Sequence, residues 1–120
     1  AAALNMAPIA GADEKGSVLM KHDLIDMQGK QATMITVEYA PGASSAGHVH
    51  PGSVFAYVLE GAVVSQLDGE PPVTYAKGQP WYEPPKKPHV ISRNASATEP
   101  AKLLVVLITE KGEALKAPMK

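Results

Sequence analysis

The chain has no cysteine among its 120 residues, which excludes disulfides, thiolate metal sites and cysteine nucleophiles. It also has no run of basic residues, and its net charge is only −1, so neither nucleic acid nor an anionic membrane surface is an expected partner. No apolar stretch approaches the ~20 residues of a membrane-spanning helix. No segment keeps the apolar period of about 3.6 residues that is typical of an amphipathic helix.

What the sequence does contain is a series of short apolar and β-branched segments separated by turns. Hydrophobic residues make up 45% of the chain, enough for one buried core in a domain of this length. Segments 33–39, 54–59 and 101–109 are the strongest strand candidates, and Pro-Gly, Glu-Gly and Lys-Gly pairs lie between the segments. Many short strands with frequent turns predict an all-β sandwich or barrel.

Composition divides the chain into three parts. Residues 1–16 are rich in Ala, Gly and Pro and are predicted to be a flexible arm, or a strand added to a partner subunit. Residues 17–110 carry the predicted barrel, and residues 111–120 form a polar tail. The small residues at the start also resemble those that flank a signal-peptidase site. A periplasmic or secreted protein and a cytoplasmic one therefore both remain open.

Two histidines stand one residue apart in the segment Gly47-His48-Val49-His50-Pro51-Gly52. In an extended strand alternate side chains share a face, so His48 and His50 project together with Cα atoms about 7 Å apart. That spacing allows both imidazoles to bind one divalent ion. The Pro-Gly pair places them beside a turn.

The two histidines belong to a longer pattern, G-x5-H-x-H-x3,4-E-x6-G, which is matched at Gly42, His48, His50 and Gly61. A second pattern, G-x5-P-x-G-x2-H-x3-N, is matched downstream at Gly78, Pro84 and His89. Two patterns in this order and spacing resemble those of the cupins. The resemblance implies a single-domain cupin, with an all-β double-stranded β-helix or jelly-roll barrel.

Three positions depart from the cupin patterns. Val54 stands where the first pattern has Glu, Lys86 where the second has Gly, and Arg93 where it has Asn, with Asn94 one residue later. The Glu is a metal ligand in cupins that use four ligands. Its replacement by valine removes the expected carboxylate and makes one wall of the pocket apolar.

The resemblance then leaves His48, His50 and His89 as the metal ligands. Three neutral imidazoles suit a divalent transition metal such as Fe, Zn, Ni, Cu or Mn, and leave positions open for water or substrate. Such an ion keeps its full charge, so it should favour anionic ligands. This resembles the three-histidine sites of some cupin-type dioxygenases. In the alternative interpretation, loss of the carboxylate means loss of metal binding.

Further side chains are candidates for lining the pocket or contacting substrate: Val54, Gln66, Trp81, Glu83 and Arg93. Glu83 is open to two interpretations, a general base or replacement ligand on one side and a solvated loop carboxylate on the other. Arg93 fits a bidentate contact with a substrate carboxylate or a surface salt bridge. Arg93 shares a face with His89 only if no bulge intervenes between them.

Two kinds of function follow. The first is a metal-dependent enzyme, of dioxygenase or of isomerase or lyase type, acting on a small polar or anionic molecule. The second is a non-catalytic ligand-binding or sensing cupin, with or without metal. By analogy with the family a homodimer is expected, and exposed strand edges give association a physical reason.

Overall fold

The computed structural model describes residues 4–5 and 14–119, and β-strands are the regular secondary structure of this part of the chain. Within these ranges no helix is long and apolar enough to cross a membrane. In chain order the strands are β1 Leu4–Asn5, β2 Glu14–Asp23, β3 Lys30–Tyr39, β4 Ser44–Ser45, β5 His48–Val49, β6 Val54–Glu60, β7 Ala62–Leu67, β8 Val73–Ala76, β9 Pro80–Glu83, β10 His89–Asn94, β11 Ala101–Glu110 and β12 Ala117–Pro118.

The strands form two antiparallel sheets that face each other. The first sheet has the order β1-β2-β3-β11-β6-β9, and the second has β12-β5-β10-β7-β8 with β4 beside β10. Some neighbours in a sheet are distant in sequence, as the pairing of β3 with β11 and of β5 with β10 shows. The prediction of an all-β jelly-roll fold is confirmed.

Strand β11 holds the centre of the first sheet, because it pairs along its length with β3 and over six residues with β6. Its side chains alternate strictly between buried and half-buried. Leu103, Val105 and Leu107 face inward and join Ile35 and Val54 in the core. Each such side chain contributes roughly 1.5–3 kcal/mol when fully buried, so this face fixes the register of the sheet.

The predicted arm 1–16 lies mostly outside the described residues. Its last part, Glu14 to Gly16, is not an arm but the start of β2, and Leu4–Asn5 pairs with β2 of the same chain. The predicted tail contains β12, which pairs with β5. Met119 lies so close to Gly47 that a Cβ atom added at position 47 would collide with the Met119 side chain. This end of the chain therefore lies directly beside His48.

Strand β10 contains a β-bulge between His89 and Ile91. The extra residue changes which side chains face inward, so that Asn94 is buried and Arg93 is exposed. The Asn94 amide donates to the carbonyls of Ala40 and Glu99, at 3.1 Å and 2.7 Å. The bulge thus explains why asparagine comes one residue later than in the cupin pattern.

Candidate metal centre

Three histidines meet where β5 and β10 pair at one end of the second sheet. His48 and His89 are directly opposite each other in the antiparallel register, and His50 follows His48 at the alternate position. The ring centroid of His48 lies 4.7 Å from that of His50 and 5.0 Å from that of His89. The structure therefore brings together the three residues that the sequence proposes as metal ligands.

Backbone carbonyls fix the orientation of two of these rings. The Nδ1–H of His48 donates to the carbonyl of Ala46 and that of His50 to the carbonyl of Leu115, both at 2.7 Å. A neutral imidazole carries one N–H, so Nε2 of each ring keeps its lone pair. Contacts of this kind hold the tautomer that a metal-binding histidine needs.

The third ring is held by a side chain. His89 Nε2 is hydrogen-bonded to the hydroxyl of Ser65 at 2.7 Å. When Nε2–H is the donor, Nδ1 has the lone pair, and it lies 3.3 Å from Glu83 Oε2. In that tautomer the Ser65 hydroxyl accepts from Nε2–H, and the unprotonated Nδ1 faces Glu83.

Glu83 completes the cluster and is not the solvated loop carboxylate that one interpretation of the sequence expects. Only 3% of its surface is exposed, and the Nε1–H of Trp81 donates to Oε2 at 2.9 Å. Glu83 ends β9, where it is the direct cross-strand partner of Val54 on β6. Side chains in this relation start about 5 Å apart. The carboxylate missing from position 54 is thus replaced from the neighbouring strand.

Burial shifts the ionisation of every member of the cluster. Burial, the largest cause, together with neighbouring positive groups lowers the pKa of His48, that of His50 to about 4 and that of His89 to about 3. Burial raises the pKa of Glu83 to about 7, against the opposing effect of the Trp81 hydrogen bond. Around neutral pH the imidazoles are therefore neutral, which is the form that binds metals.

The donor set fits a divalent transition metal. One ligand atom from each of the four side chains lies within 4.8 Å of the others. Opposite ligands of an ion at 2.1 Å are about 4.2 Å apart, so small movements would close the site. Glu83 Oε1 and His89 Nδ1 are buried without a hydrogen-bond partner among the described residues. A cation bound among these side chains would pair both atoms.

The cluster borders a cavity of about 70 Å³ between the two sheets. Of the predicted pocket residues, Val54, Trp81 and Glu83 line it, together with apolar side chains such as Leu103 and Leu107. Lys116, from the C-terminal segment, lines it as well. The site can therefore enclose a small molecule against the four candidate ligands.

Two predicted pocket residues do not reach the cavity. Gln66 points away because Ser65 occupies the inward position of β7, and its amide donates to the carbonyl of Glu70 at 2.8 Å. Arg93 is exposed because the bulge in β10 turns it outward. The structure therefore does not bring these two side chains to the cavity.

Sequence reasoning undervalued one group and missed two others. Strand alternation through Pro80-Trp81-Tyr82-Glu83 would have placed Glu83 on the same face as Trp81, but the nearby prolines suggested a loop. The contacts from Ser65 and from the carbonyl of Leu115 have no sequence signal. They depend on residues that lie 24 and 65 positions along the chain from their histidine partners.

Comparison with known proteins gives the same fold. Polyketide cyclase RemF from Streptomyces resistomycificus is 21% identical with a TM-score of 0.70, over 98% of this chain and 82% of that chain. A cupin-2 domain from Rhodospirillum rubrum is 15% identical with a TM-score of 0.73, over 98% and 74% of the two chains. At these identities the likeness concerns the fold alone.

A third similar structure is the DMSP lyase DddQ from Ruegeria pomeroyi, 22% identical with a TM-score of 0.65 over 73% of this chain. The present chain spans only 43% of the length of that lyase. Among curated proteins none matches. The family model described as "Cupin domain" matches residues 35–107, which include both histidine patterns. With its two antiparallel sheets and its buried histidine cluster, the chain belongs to the cupin family.

Proposed function

We propose that this cupin is a metal-dependent enzyme of lyase or isomerase type that acts on a small anionic molecule. The observation that supports it is the buried cluster of His48, His50, Glu83 and His89, with two polar atoms that have no hydrogen-bond partner in the described ranges. Similar folds carry the names of a lyase and a cyclase. With Glu83 ionised, a divalent ion there keeps a net positive charge and attracts an anionic substrate group.

The protein side chains divide the work between binding and proton transfer. A divalent transition metal would supply Lewis-acid stabilisation of negative charge on the substrate. Lys116 is the one lysine that lines the cavity in the described part of the chain. Burial lowers its pKa, which favours the neutral amine that can accept a proton from a substrate carbon. We therefore assign Lys116 Nζ the role of proton acceptor.

Tyr39 also lines the cavity but is a poor candidate for that role. Burial, assisted by the charge of Glu14, raises the pKa of its hydroxyl to about 12. The hydroxyl is also hydrogen-bonded to Ser45 and Ser92.

A dioxygenase function would need a redox-active metal such as Fe, so the identity of the bound metal separates a dioxygenase from a lyase or isomerase.

Metal content provides the first test. Protein purified without an affinity tag should contain close to one transition metal ion per chain by mass spectrometry. Dialysis against a chelator should lower the melting temperature by several degrees, because a ligand that binds only the folded state stabilises it. Re-addition of the metal should restore it.

The results also separate the alternatives. Near-stoichiometric Fe or Cu would favour dioxygenase chemistry, whereas Zn, Ni or Mn would favour the lyase or isomerase proposal. Ligand binding without turnover would favour a non-catalytic sensing cupin. No metal after reconstitution, with an unchanged melting temperature, would contradict the whole proposal.

We also propose that the chain forms a homodimer through the outer face of the first sheet. One cross-strand row on that face is apolar on five consecutive strands: Met20, Met34, Val106, Phe55 and Tyr82. Phe55 is 49% exposed and Met20 57%, and the ring of Phe55 contacts that of Tyr82. A contiguous apolar surface of this kind is typical of an interaction site.

Phe55→Lys tests the dimer. A lysine in the middle of the row would have to be desolvated in the interface, so we expect dimer dissociation to be at least about tenfold easier, measured by sedimentation velocity. Val73→Lys is the matched control, since Val73 is an exposed apolar residue on the second sheet. A monomeric wild type, or dissociation caused only by Val73→Lys, would refute this interface.

A further inference from the structure

A second polar cluster lines the cavity beside the candidate metal centre. Glu14 on β2 is the cross-strand partner of Tyr39 on β3 in the first sheet. Ser45 on β4 is the cross-strand partner of Ser92 on β10 in the second sheet. All four side chains line the cavity, so this cluster connects the two sheets within an otherwise mainly apolar wall.

The hydrogen bonds of this cluster have one direction. The Ser45 hydroxyl donates to Glu14 Oε2 at 2.7 Å, and a hydroxyl has a single proton to donate. The Tyr39 hydroxyl must therefore donate to Ser45, and Ser92, 2.8 Å from it, must donate to Tyr39. In each of these three hydrogen bonds the proton is donated towards the Glu14 carboxylate, and hydrogen bonds in such a series strengthen one another.

The other oxygen of this carboxylate has no donor. Glu14 is 7% exposed, and its Oε1 is buried without a hydrogen-bond partner in residues 4–5 and 14–119. Leaving a buried acceptor in that state is unfavourable, and more so when the acceptor is charged. A donor supplied by a ligand in the cavity would remove that cost.

Lys116 lines the same cavity as this carboxylate and the histidines. Lys116 and Glu14 do not form an ion pair in the described part of the chain. Among the described residues, the amine therefore leaves Glu14 Oε1 without an ion-pair partner.

We propose that Glu14 Oε1 binds a protonated amine of the substrate, so that the cavity accepts a small carboxylate that also carries an amino group. This rests on the proposed function, since the substrate carboxylate is then held at the metal centre. The cavity of about 70 Å³ restricts the link between the two groups to a short chain. Lys116, which lines the same cavity, would accept a proton from a carbon atom of that link.

Paired probes test the proposal without knowledge of the natural substrate. Glycine, β-alanine and 4-aminobutyrate are compared with acetate, propionate and butyrate, which lack the amine. Binding is followed by the visible spectrum of the cobalt-loaded protein, and in the metal-free protein by amide chemical shifts. In the wild type we expect at least one amino acid to bind about tenfold or more tightly than its partner, because a charge-assisted hydrogen bond contributes about 1.5–3 kcal/mol.

Glu14→Gln should reduce this preference to less than about twofold while the affinity for the simple carboxylates stays within about twofold. Glu14→Asp keeps the charge but shortens the side chain, so it should shift the optimum to a probe one methylene longer. Glu38→Gln, an exposed residue on β3, is the matched control and should retain the wild-type preference.

The outcomes distinguish this proposal from the proposed function. If cobalt does not bind, the metal-enzyme proposal fails, and the amine preference is still decided by the chemical shifts of the metal-free protein. Absence of a preference in the wild type at every probe length would overturn the assignment of Glu14. The same preference in wild type and Glu14→Gln, or an unchanged optimum in Glu14→Asp, would also overturn it.

Discussion

Glu83→Gln is expected to reduce the metal affinity of the protein by at least about 100-fold. Changes in groups that merely orient metal ligands cost 10–100-fold, and Glu83 is the only carboxylate in the cluster. Glutamine has nearly the same shape but no charge. Competition with a chelating dye measures the loss, and Glu60→Gln, at an exposed position on β6, is the matched control.

The same substitution should stabilise the metal-free protein at alkaline pH. Burial raises the pKa of Glu83 from 4.5 to about 7, so the folded state favours the protonated carboxyl. The stability contributed by that proton is complete below pH 4.5 and is lost as the pH rises through about 7. At pH 8 the variant avoids this loss, which amounts to about 3 kcal/mol.

Urea unfolding of chelator-treated protein at several pH values measures this effect. The difference in unfolding free energy between variant and wild type should grow in favour of the variant from pH 5 to pH 8. The buried histidines have lowered pKa values and destabilise both proteins alike as the pH falls below 6.5, so their effect largely cancels. A difference independent of pH, or unchanged metal affinity, would show that Glu83 is not an ionisable ligand of the site.

The second large effect is expected from moving the carboxylate between strands. Val54 and Glu83 are cross-strand partners, so a carboxylate at either position starts about 5 Å from the other. Glu83→Val alone should lose about 100-fold or more in metal affinity. The double variant Val54→Glu/Glu83→Val should recover it to within about tenfold of the wild type, as measured by cobalt titration.

The single variant Val54→Glu separates two views of the site. A site of three histidines alone would bind metal more tightly once a carboxylate is added. With Glu83 already present, Val54→Glu instead buries a second carboxylate beside the first, and like charges at this distance oppose ionisation. We therefore expect lower stability without tighter binding. Tighter binding by Val54→Glu, or a double variant no better than Glu83→Val, would contradict the role given to Glu83.

Of the departures from the cupin patterns, the sequence explains the one at Lys86 but not the offset of Asn94. Lys86 stands at a pattern glycine and has φ of 64°, the only positive φ at a non-glycine residue in the described ranges. The pattern thus predicts this backbone conformation, although a side chain there costs about 1 kcal/mol. The offset of Asn94 instead depends on the bulge in β10, which no local composition predicts.

The all-β class, the cupin family and the three histidines could be predicted from the sequence, because they depend on local alternation, turn residues and spacing along one chain. The position of the carboxylate, the outward direction of Gln66 and Arg93, and the direction of the hydrogen bonds at Glu14 could not. Those features depend on which strands become neighbours and in what register. Residues far apart in the chain meet only when the sheets close, and for this reason a valine at position 54 concealed a four-residue cluster completed by Glu83.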